Sequence, residues 1–440
     1  MKYFLTLIQL WVGFLSICAS YPKANIWIIP SVESPQVYRN YAQTSKVHLE
    51  MARGEVEHIQ LVFPSKVNEE YRFTFDRYLK GIQISARELK KMNGYYDALV
   101  PFKNQLKCTD TLTAVWITVQ CPSRVPVGKY HQTIKIEGSK HFTIQLDYNV
   151  HHTTIPLKSS IPITVGVENR CMTEGLNDKE ADKERQRWVD FVLSYRMTPV
   201  FGTQITPERW QYEHSFSPWA WNDKRSIRLL NDRRYSCYML PFFTLSENEL
   251  ASLLCNIQKK GKLKESLFYI WDEPAYMEDY EQIKRKVNII RKYASDARIL
   301  TTFFCGPRNG PRKGDLYAVF DYLKHHIHVA TISLAPCKGN EEEVQHIRYK
   351  VPEGIDWWSY VCWQPGGNEP NFLLQMKGIQ QRAIMWRTWK NGSQGFLYWN
   401  CNIYHKRNPF TYITDMPHGD GILIYPGDIL GCKGPIASAR

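Results

Sequence analysis

The chain has 440 residues, of which 43% are hydrophobic, 13% aromatic and 22% charged. This apolar and aromatic content excludes an intrinsically disordered protein, and the length suggests two or three domains, or one small domain attached to a large barrel. The formal net charge of +13 is spread over short clusters without a nucleic-acid-binding motif. It therefore argues against nucleic acid, and for anionic glycans or an anionic cell surface, as the partner.

The first twenty residues have the pattern of a secretory signal peptide. Lys2 precedes a mostly apolar run over residues 3–17, and residues 18–20 supply the small side chains of a cleavage site. We expect the mature chain to begin near Tyr21. No later stretch approaches the ~18 uninterrupted apolar residues of a membrane span, so the sequence predicts a protein that is secreted or lysosomal and has no membrane span.

Residues 21–154 consist of short alternating runs separated by turn residues, such as KVHLEMARGEVEHIQLVF, AVWITVQ and FTIQLDYNV. This alternation predicts a β-sandwich domain. Cys108 and Cys121 flank the strand-like TLTAVWITVQ and are the first candidates for a local disulfide, because the predicted compartment permits one. Several other cysteines lie inside apolar strand patterns, which is typical of buried free thiols.

Residues 155–440 have a different pattern, in which strand-like runs alternate with helical segments. The candidate strands are PITVGVE from Pro162, TPVFG from Thr198, YSCYMLPFF from Tyr235, SLFYIW from Ser266, RILTTFF from Arg298, HVATISL from His328, DWWSYVCW from Asp356 and GFLYWNC from Gly395. The candidate helices are Lys179 to Tyr195, Glu247 to Lys260, Met277 to Tyr293 and Leu373 to Lys390. Eight strands in a region of this length predict a (β/α)8 barrel. The Gly- and Pro-rich end of the chain predicts that the barrel closes without a full eighth helix.

The fourth predicted barrel strand ends in Asp272, Glu273 and Pro274. Active sites of such barrels lie at the carboxyl ends of the strands, and glycoside hydrolysis uses a pair of carboxyl groups. Neighbouring strand residues face opposite sides, so both acids reach one substrate only if the backbone leaves strand geometry there. Pro274 favours an extended conformation at Glu273. The alternative is that both acids only stabilise the positive end of the next helix.

Aromatic residues and an asparagine follow the seventh and eighth strands. Aromatic rings pack against the C–H face of a sugar while polar groups bond its hydroxyls. We therefore predict that Tyr360, Trp363, Trp399 and Asn400 bind substrate, and that about half of the aromatic residues in these strands are core.

Metal and cofactor chemistry find little support in the sequence. His325, His326 and His328 are close together but lack a clear fourth ligand. No GxSxG, HExxH, P-loop or GxGxxG motif occurs. We expect neither a metal site nor a cofactor.

The chain resembles glycoside hydrolase family 123, the β-N-acetylgalactosaminidases, over nearly all of its length after the first twenty residues. The matching stretches are ARGEVEHIQLVF, VPVGKYHQTIKI, FYIWDEP, DWWSYVCWQPGGNEPNF, QQRAIMWRTWKNGSQGFLYWNCN and GDGILIYPGD. The resemblance implies a β-sandwich followed by a (β/α)8 barrel that acts on terminal β-linked N-acetylgalactosamine, including that of glycosphingolipids. It further implies that Glu273 is the acid/base and that Asp272 holds the substrate acetamide. The sixth strand, HVATISLAP, departs from the family because it lacks the expected acidic and aromatic pair.

These observations favour an exo-acting β-N-acetylhexosaminidase. A catalytically inactive carbohydrate-binding or scaffold protein on the same fold is the main alternative, and a glycosidase for a different sugar is another. We expect a substrate-assisted retaining mechanism, because no second carboxylate motif of similar quality follows another strand to act as nucleophile. The choice between N-acetylgalactosamine and N-acetylglucosamine depends on contacts to the C4 hydroxyl and stays open at this point.

Overall fold

The computed structural model describes residues 26–76, 81–206, 211–336, 346, 348–349, 351–404, 408–409 and 416–440. The predicted signal peptide, residues 1–20, lies outside them. The chain divides into two compact units. One contains the described residues up to Leu89 together with Pro101–Ile155, and the other contains Lys90–Val100 and Pro156–Arg440.

The amino-terminal region is built from β-strands. They are β1 (Trp27–Pro30), β2 (Lys46–Arg53), β3 (Val56–Pro64), β4 (Glu70–Phe75), β5 (Gln83–Met92), β6 (Tyr95–Pro101), β7 (Gln105–Lys107), β8 (Leu112–Gln120), β9 (Gly128–Glu137) and β10 (His141–Thr154), with a 3-10 helix over Pro35–Asn40. They form two five-stranded sheets of order β1-β3-β8-β5-β6 and β2-β10-β9-β4-β7. Leu61 and Val115 from the first sheet share one buried cluster with Ile134 and Leu146 from the second, so this region is mostly β, as predicted.

The predicted disulfide between Cys108 and Cys121 is wrong, because both residues are buried free thiols. The twelve residues between them include the nine of β8, and a strand of nine residues spans roughly 30 Å. The Cα atoms of a disulfide lie within about 7 Å of each other. Every cysteine in the described part of the chain is free.

The second unit contains one large sheet. Its strands are β11 (Ile163–Glu168), β12 (Thr198–Thr206), β13 (Gln211–Ser215), β14 (Tyr238–Met239), β15 (Ser266–Trp271), β16 (Arg298–Phe303), β17 (Val329–Ser333), β18 (Asp356–Val361) and β19 (Phe396–Tyr398), and a separate pair is formed by β20 (Ile424–Pro426) and β21 (Pro435–Ala437). The sheet order is β13-β12-β11-β19-β18-β17-β16-β15-β14. All eight strands predicted for this region are present. Each of them pairs in parallel with its neighbours among these eight in the sheet, whereas β13 pairs with β12 in the antiparallel direction.

The sheet is nearly closed rather than a complete (β/α)8 barrel. Its open seam lies between the two edge strands, β13 and β14, which share no ladder. Single hydrogen bonds cross this part of the sheet: the main-chain N–H of Phe216 donates to the carbonyl of Met239 at 2.6 Å, and that of Ser236 donates to Thr198 Oγ1 at 3.1 Å.

The helices follow the strands as the sequence pattern predicts. They are α1 (Asn169–Thr173), α2 (Asp178–Ser194), α3 (Lys224–Leu229), α4 (Glu247–Lys259), α5 (Met277–Arg291), α6 (Leu316–Leu323) and α7 (Gly378–Lys390), with 3-10 helices over Leu263–Glu265 and Gly427–Leu430. Helix α7 begins five residues later than predicted, where the side-chain oxygen of Gln380 accepts the main-chain N–H of Lys377 at 3.1 Å. In the described residues after Tyr398 no α-helix occurs. No helix among the described residues is long and apolar enough to cross a lipid bilayer.

Two apolar layers lie on the two faces of this sheet. Because side chains alternate along a strand, Leu267 and Tyr269 of β15 belong to one cluster that also contains Tyr360. Phe268 and Ile270 of the same strand belong to another, which is shared with the helices. The alternation therefore places Tyr269 and Tyr360 on the same inner face, next to the end of β15.

Candidate active site

The backbone leaves regular strand geometry where β15 ends. The pairing of β15 with β16 shifts register between Tyr269 and Trp271, and Glu273 has a φ of +44°, which is uncommon for a residue other than glycine. The expectation that Pro274 keeps Glu273 extended is therefore wrong. The main-chain N–H of Glu273 donates to Thr302 Oγ1 at 2.9 Å, so a tertiary contact holds the turn against the local preference. As a result, Asp272 and Glu273 line the same cavity.

Two buried hydroxyl groups fix the carboxylate of Asp272. Its Oδ1 atom accepts hydrogen bonds from the Tyr269 hydroxyl at 2.6 Å and from Thr302 Oγ1 at 2.8 Å. Tyr269 is 9% exposed and Thr302 1%. The Thr302 hydroxyl thus contacts both acids: it donates to the side chain of Asp272 and accepts the main-chain N–H of Glu273. No described protein group bonds Oδ2 of Asp272, which leaves that oxygen for a donor on a ligand.

The carboxyl group of Glu273 lies in a different environment. The hydroxyl of Tyr360 donates to its Oε1 atom. Burial, and then the negative charge of Asp272, raise the pKa of Glu273 to about 7, although the Tyr360 hydrogen bond acts in the opposite direction. Glu273 keeps an exposed surface because the cavity is open, while the surrounding protein desolvates its carboxyl group. A carboxyl group with this pKa can both donate and accept a proton near neutral pH.

The cavity has a volume of about 520 Å³, within the usual range for small-ligand sites. A smaller cavity of about 70 Å³ shares Tyr212, His214, Tyr269 and Asp272 with it. Gly166 of β11 lets the main chain that follows β19 approach, since a Cβ atom there would come within 1.9 Å of the Trp399 carbonyl oxygen.

The structure brings together three of the four substrate-binding residues predicted from the sequence. Tyr360 contacts Glu273 directly. Trp399 and Asn400 line the smaller cavity beside Asp272. Trp363 lines neither of these cavities; it is 48% exposed and stacks on Phe304 with ring centroids 6.4 Å apart.

Trp399 and Asn400, the predicted residues that follow β19, form hydrogen bonds within the protein. The indole N–H of Trp399 donates to Asp420 Oδ1 at 2.9 Å. Asn400 is buried, and its Oδ1 accepts the main-chain N–H of Asn402 at 2.9 Å. These two side chains are therefore held in place by the protein before any ligand binds.

Sequence reasoning missed Tyr269, Thr302 and His214. Thr302 left a signal, since a polar residue inside the apolar run RILTTFF calls for a partner. Tyr269 lies in the run SLFYIW, three residues before Asp272. His214 lies in QYEHS, which has no apolar alternation and was not predicted to be a strand.

No cluster of three or more His, Cys, Asp or Glu residues suited to a metal ion occurs in the part of the chain that the structure describes. In the histidine-rich segment singled out from the sequence, His328 Nδ1 accepts the main-chain N–H of Ile299 at 3.2 Å. That nitrogen is therefore engaged in the fold.

Comparisons with known proteins identify the family to which this region is similar. Residues 183–440 match the family model for the glycoside hydrolase 123 catalytic domain. No curated protein matches the chain. Among solved structures, the chain is similar to a family 123 glycoside hydrolase from Clostridium perfringens that hydrolyses glycolipid glycans, with a TM-score of 0.64 and 13% sequence identity, over 94% of this chain and 85% of that one. At this identity the likeness shows the fold.

Weaker likenesses involve other glycosidases. A glycosyl hydrolase family 2 member from Bacteroides cellulosilyticus has a TM-score of 0.31 and 10% identity, over 83% of this chain and 46% of that one. A β-D-glucuronidase from Dictyoglomus thermophilum has a TM-score of 0.31 and 9% identity, over 88% of this chain and 68% of that one. These TM-scores are too low to indicate a shared overall fold.

Proposed function

Because the chain belongs to glycoside hydrolase family 123, we propose that it removes terminal β-linked N-acetylgalactosamine, or a related N-acetylhexosamine, from glycans or glycolipids by a substrate-assisted retaining mechanism. The observation that carries the proposal is the contrast between two adjacent acids. Glu273 has a pKa raised to about 7, whereas Asp272 is fixed by Tyr269 and Thr302. Such a difference in environment separates a proton donor from a charge-stabilising group.

In the first step, protonated Glu273 gives its proton to the glycosidic oxygen as the bond from that oxygen to the anomeric carbon breaks. The carbonyl oxygen of the substrate's own 2-acetamido group attacks the anomeric carbon from the opposite face. Asp272 accepts the acetamide N–H through Oδ2 and stabilises the positive charge of the oxazolinium ion that forms. The hydroxyl groups on Oδ1 keep the carboxylate in position during this step.

In the second step, ionised Glu273 takes a proton from water, and the water oxygen attacks the anomeric carbon. The bond to the acetamide oxygen breaks, the acetamido group is restored and the product leaves as the β-anomer. Glu273 returns to its protonated form. A group that serves as acid and then as base works best when its pKa lies near the working pH.

The surroundings of the other acids in the cavity support the acetamido group as nucleophile. Besides Asp272 and Glu273, the carboxyl groups among the lining residues are those of Glu278 and Asp279. Asp279 Oδ2 accepts the main-chain N–H groups of Ala275 and Tyr276, each at 2.9 Å. Glu278 accepts hydrogen bonds from the Asn309 amide. Both are engaged at the start of α5, so neither is offered as an enzymic nucleophile.

Hydrolysis of aryl β-glycosides tests the proposed function. We expect turnover of the β-N-acetylgalactosaminide or β-N-acetylglucosaminide and none of the β-galactoside, which lacks the acetamido nucleophile. Glu278→Gln is the matched control, because it removes a carboxyl group of the same cavity and leaves kcat/KM unchanged. Efficient turnover of the β-galactoside, or binding of N-acetylhexosamines without any turnover, contradicts the proposal.

We also propose a natural substrate and a cellular location. The similarity to an enzyme that hydrolyses glycolipid glycans supports a glycosphingolipid ending in β-linked N-acetylgalactosamine. The pattern of residues 1–20 supports a secreted or lysosomal protein. Release of N-acetylgalactosamine from such a glycolipid in detergent micelles tests the first point, and recovery of the protein from culture medium or lysosomes tests the second.

A further inference from the structure

His214 lies where the two cavities of the site meet. It is on β13, the antiparallel strand beside β12, where it pairs with Gly202. Together with Tyr212, Tyr269 and Asp272 it lines both the larger and the smaller cavity. A ligand that reaches Asp272 therefore passes beside this imidazole.

The imidazole ring is held in a defined orientation beside Asp272. It stacks on Tyr269 with ring centroids 4.3 Å apart and planes inclined by 12°. The hydroxyl of the same tyrosine donates to Asp272 Oδ1. One side chain thus fixes both the plane of the imidazole and the position of the carboxylate.

The described protein satisfies neither ring nitrogen of His214. His214 is half-buried, and no described side chain or main-chain group forms a hydrogen bond with either ring nitrogen. Burial lowers the pKa of His214 to about 3, so the ring is neutral at working pH. A neutral imidazole offers one donor and one acceptor, which matches a sugar hydroxyl.

We propose that His214 is a substrate-binding residue whose ring nitrogen forms a hydrogen bond with the C3 hydroxyl of the terminal N-acetylhexosamine, an inference that rests on the proposed function. Asp272 holds the acetamido group at C2. Of the two ring carbons next to C2, C1 carries the bond that breaks and C3 carries a hydroxyl. The contact requires a free C3 hydroxyl, so it selects terminal sugars that are unsubstituted there. N-acetylgalactosamine and N-acetylglucosamine share this hydroxyl, so the contact does not distinguish them.

The test combines two variants with two substrates. His214→Phe keeps an aromatic ring for stacking but has no ring nitrogens, and His214→Gln supplies another donor and acceptor. With the parent aryl β-N-acetylgalactosaminide, we expect kcat/KM to fall about 3- to 10-fold in His214→Phe, the usual effect of one neutral hydrogen bond. The 3-deoxy substrate loses a similar factor with the unmodified protein and nothing further with His214→Phe. His214→Gln recovers part of the preference for the 3-hydroxyl substrate.

A binding measurement separates this inference from the proposed function. Calorimetry with an N-acetylgalactosamine-derived thiazoline and its 3-deoxy analogue measures the same coupling without turnover. If the two changes weaken binding independently, so that their factors multiply, His214 does not contact the C3 hydroxyl and the inference is wrong. Coupled binding without turnover supports the inference and contradicts the proposed function. If the unmodified protein does not bind the thiazoline, both are wrong.

Discussion

Glu273 and Asp420 are carboxyl groups near strand ends of the large sheet whose pKa values are raised, and they differ in access. Glu273 follows β15, and burial and the charge of Asp272 raise its pKa to about 7. Asp420 lies beside the end of β19, where burial raises its pKa to about 6. Glu273 lines the large open cavity with Asp272, whereas Asp420 is 3% exposed and lines a separate cavity of about 290 Å³.

The partners of the two groups differ as well. Glu273 accepts one hydroxyl, from Tyr360. Asp420 accepts the indole N–H of Trp399 at 2.9 Å and the hydroxyl of Tyr398 at 3.5 Å. A raised pKa therefore identifies a proton donor only where a substrate reaches the group. We interpret Asp420 as a positioning residue for Trp399.

Removing each acid in turn is the strongest way to break this comparison. We expect Glu273→Gln and Asp272→Asn each to lower kcat by at least ~100-fold, the usual scale of general acid–base and electrostatic effects. Asp420→Asn keeps an oxygen that accepts the Trp399 indole N–H, so kcat stays within about 3-fold of the unmodified protein. Steady-state kinetics on an aryl β-N-acetylgalactosaminide measures all three. A larger loss in Asp420→Asn than in Glu273→Gln would reverse the assignment.

The second prediction concerns Thr302, which holds both acids of the open site. Thr302→Val removes a hydrogen bond to the Asp272 carboxylate, worth about 1.5–3 kcal/mol for a charged acceptor, so we expect kcat to fall about 10- to 100-fold. Thr301→Val is the matched control, because the neighbouring Thr301 hydroxyl is buried without a hydrogen-bond partner. Equal losses of kcat in the two variants would show that Thr302 acts only through packing.

The third prediction uses pH to separate the two carboxyl groups. We expect kcat/KM to fall above about pH 7, because Glu273 must be protonated to act as the acid and its pKa is raised to about 7. The Tyr360 hydroxyl stabilises ionised Glu273, so Tyr360→Phe raises this pKa further and moves the basic limb to higher pH. Tyr398→Phe, which alters the surroundings of Asp420, leaves the limb in place. A pH–rate profile in which Tyr360→Phe moves the basic limb to lower pH contradicts the assignment.

The smallest effect is on stability. A carboxyl group whose pKa is higher in the folded than in the unfolded state destabilises the fold as pH rises from its unfolded value through its folded value. That window is roughly pH 4 to 7 for Glu273 and pH 4 to 6 for Asp420. We therefore expect Glu273→Gln and Asp420→Asn to raise the Tm at pH 8 and to have little effect at pH 4. Thermal unfolding at both pH values measures this, and a gain confined to pH 4 would contradict it.

The parts of the fold that could be predicted are those with strong apolar periodicity. All eight parallel strands were found because each combines an apolar run with flanking turn residues. Three of the four predicted helices both begin and end within two residues of their predicted bounds. Strand β13 was missed because QYEHS is polar, and its pairing comes from β12 rather than from its own pattern. The predicted Cys108–Cys121 disulfide was wrong because residues that are close in the sequence lie far apart when an extended strand runs between them.

The sequence predicted those site residues that form a recognisable local motif at a strand end. Asp272 and Glu273 were identified from their place at a strand end, and Tyr360 from the aromatic run that follows. The conformation of Glu273 was not, because the hydrogen bond from its N–H to Thr302 joins distant parts of the chain. The same holds for the placing of His214 beside Tyr269, which depends on the antiparallel strand.

The stereochemistry of hydrolysis distinguishes the substrate-assisted retaining mechanism from a single displacement by water. Proton NMR of the sugar released in the first minutes from an aryl β-N-acetylgalactosaminide distinguishes its two anomers before they interconvert. Attack by the substrate's acetamido group followed by attack of water inverts the anomeric carbon twice, so we expect the β-anomer to appear first. Initial release of the α-anomer would show a single inversion and contradict the account.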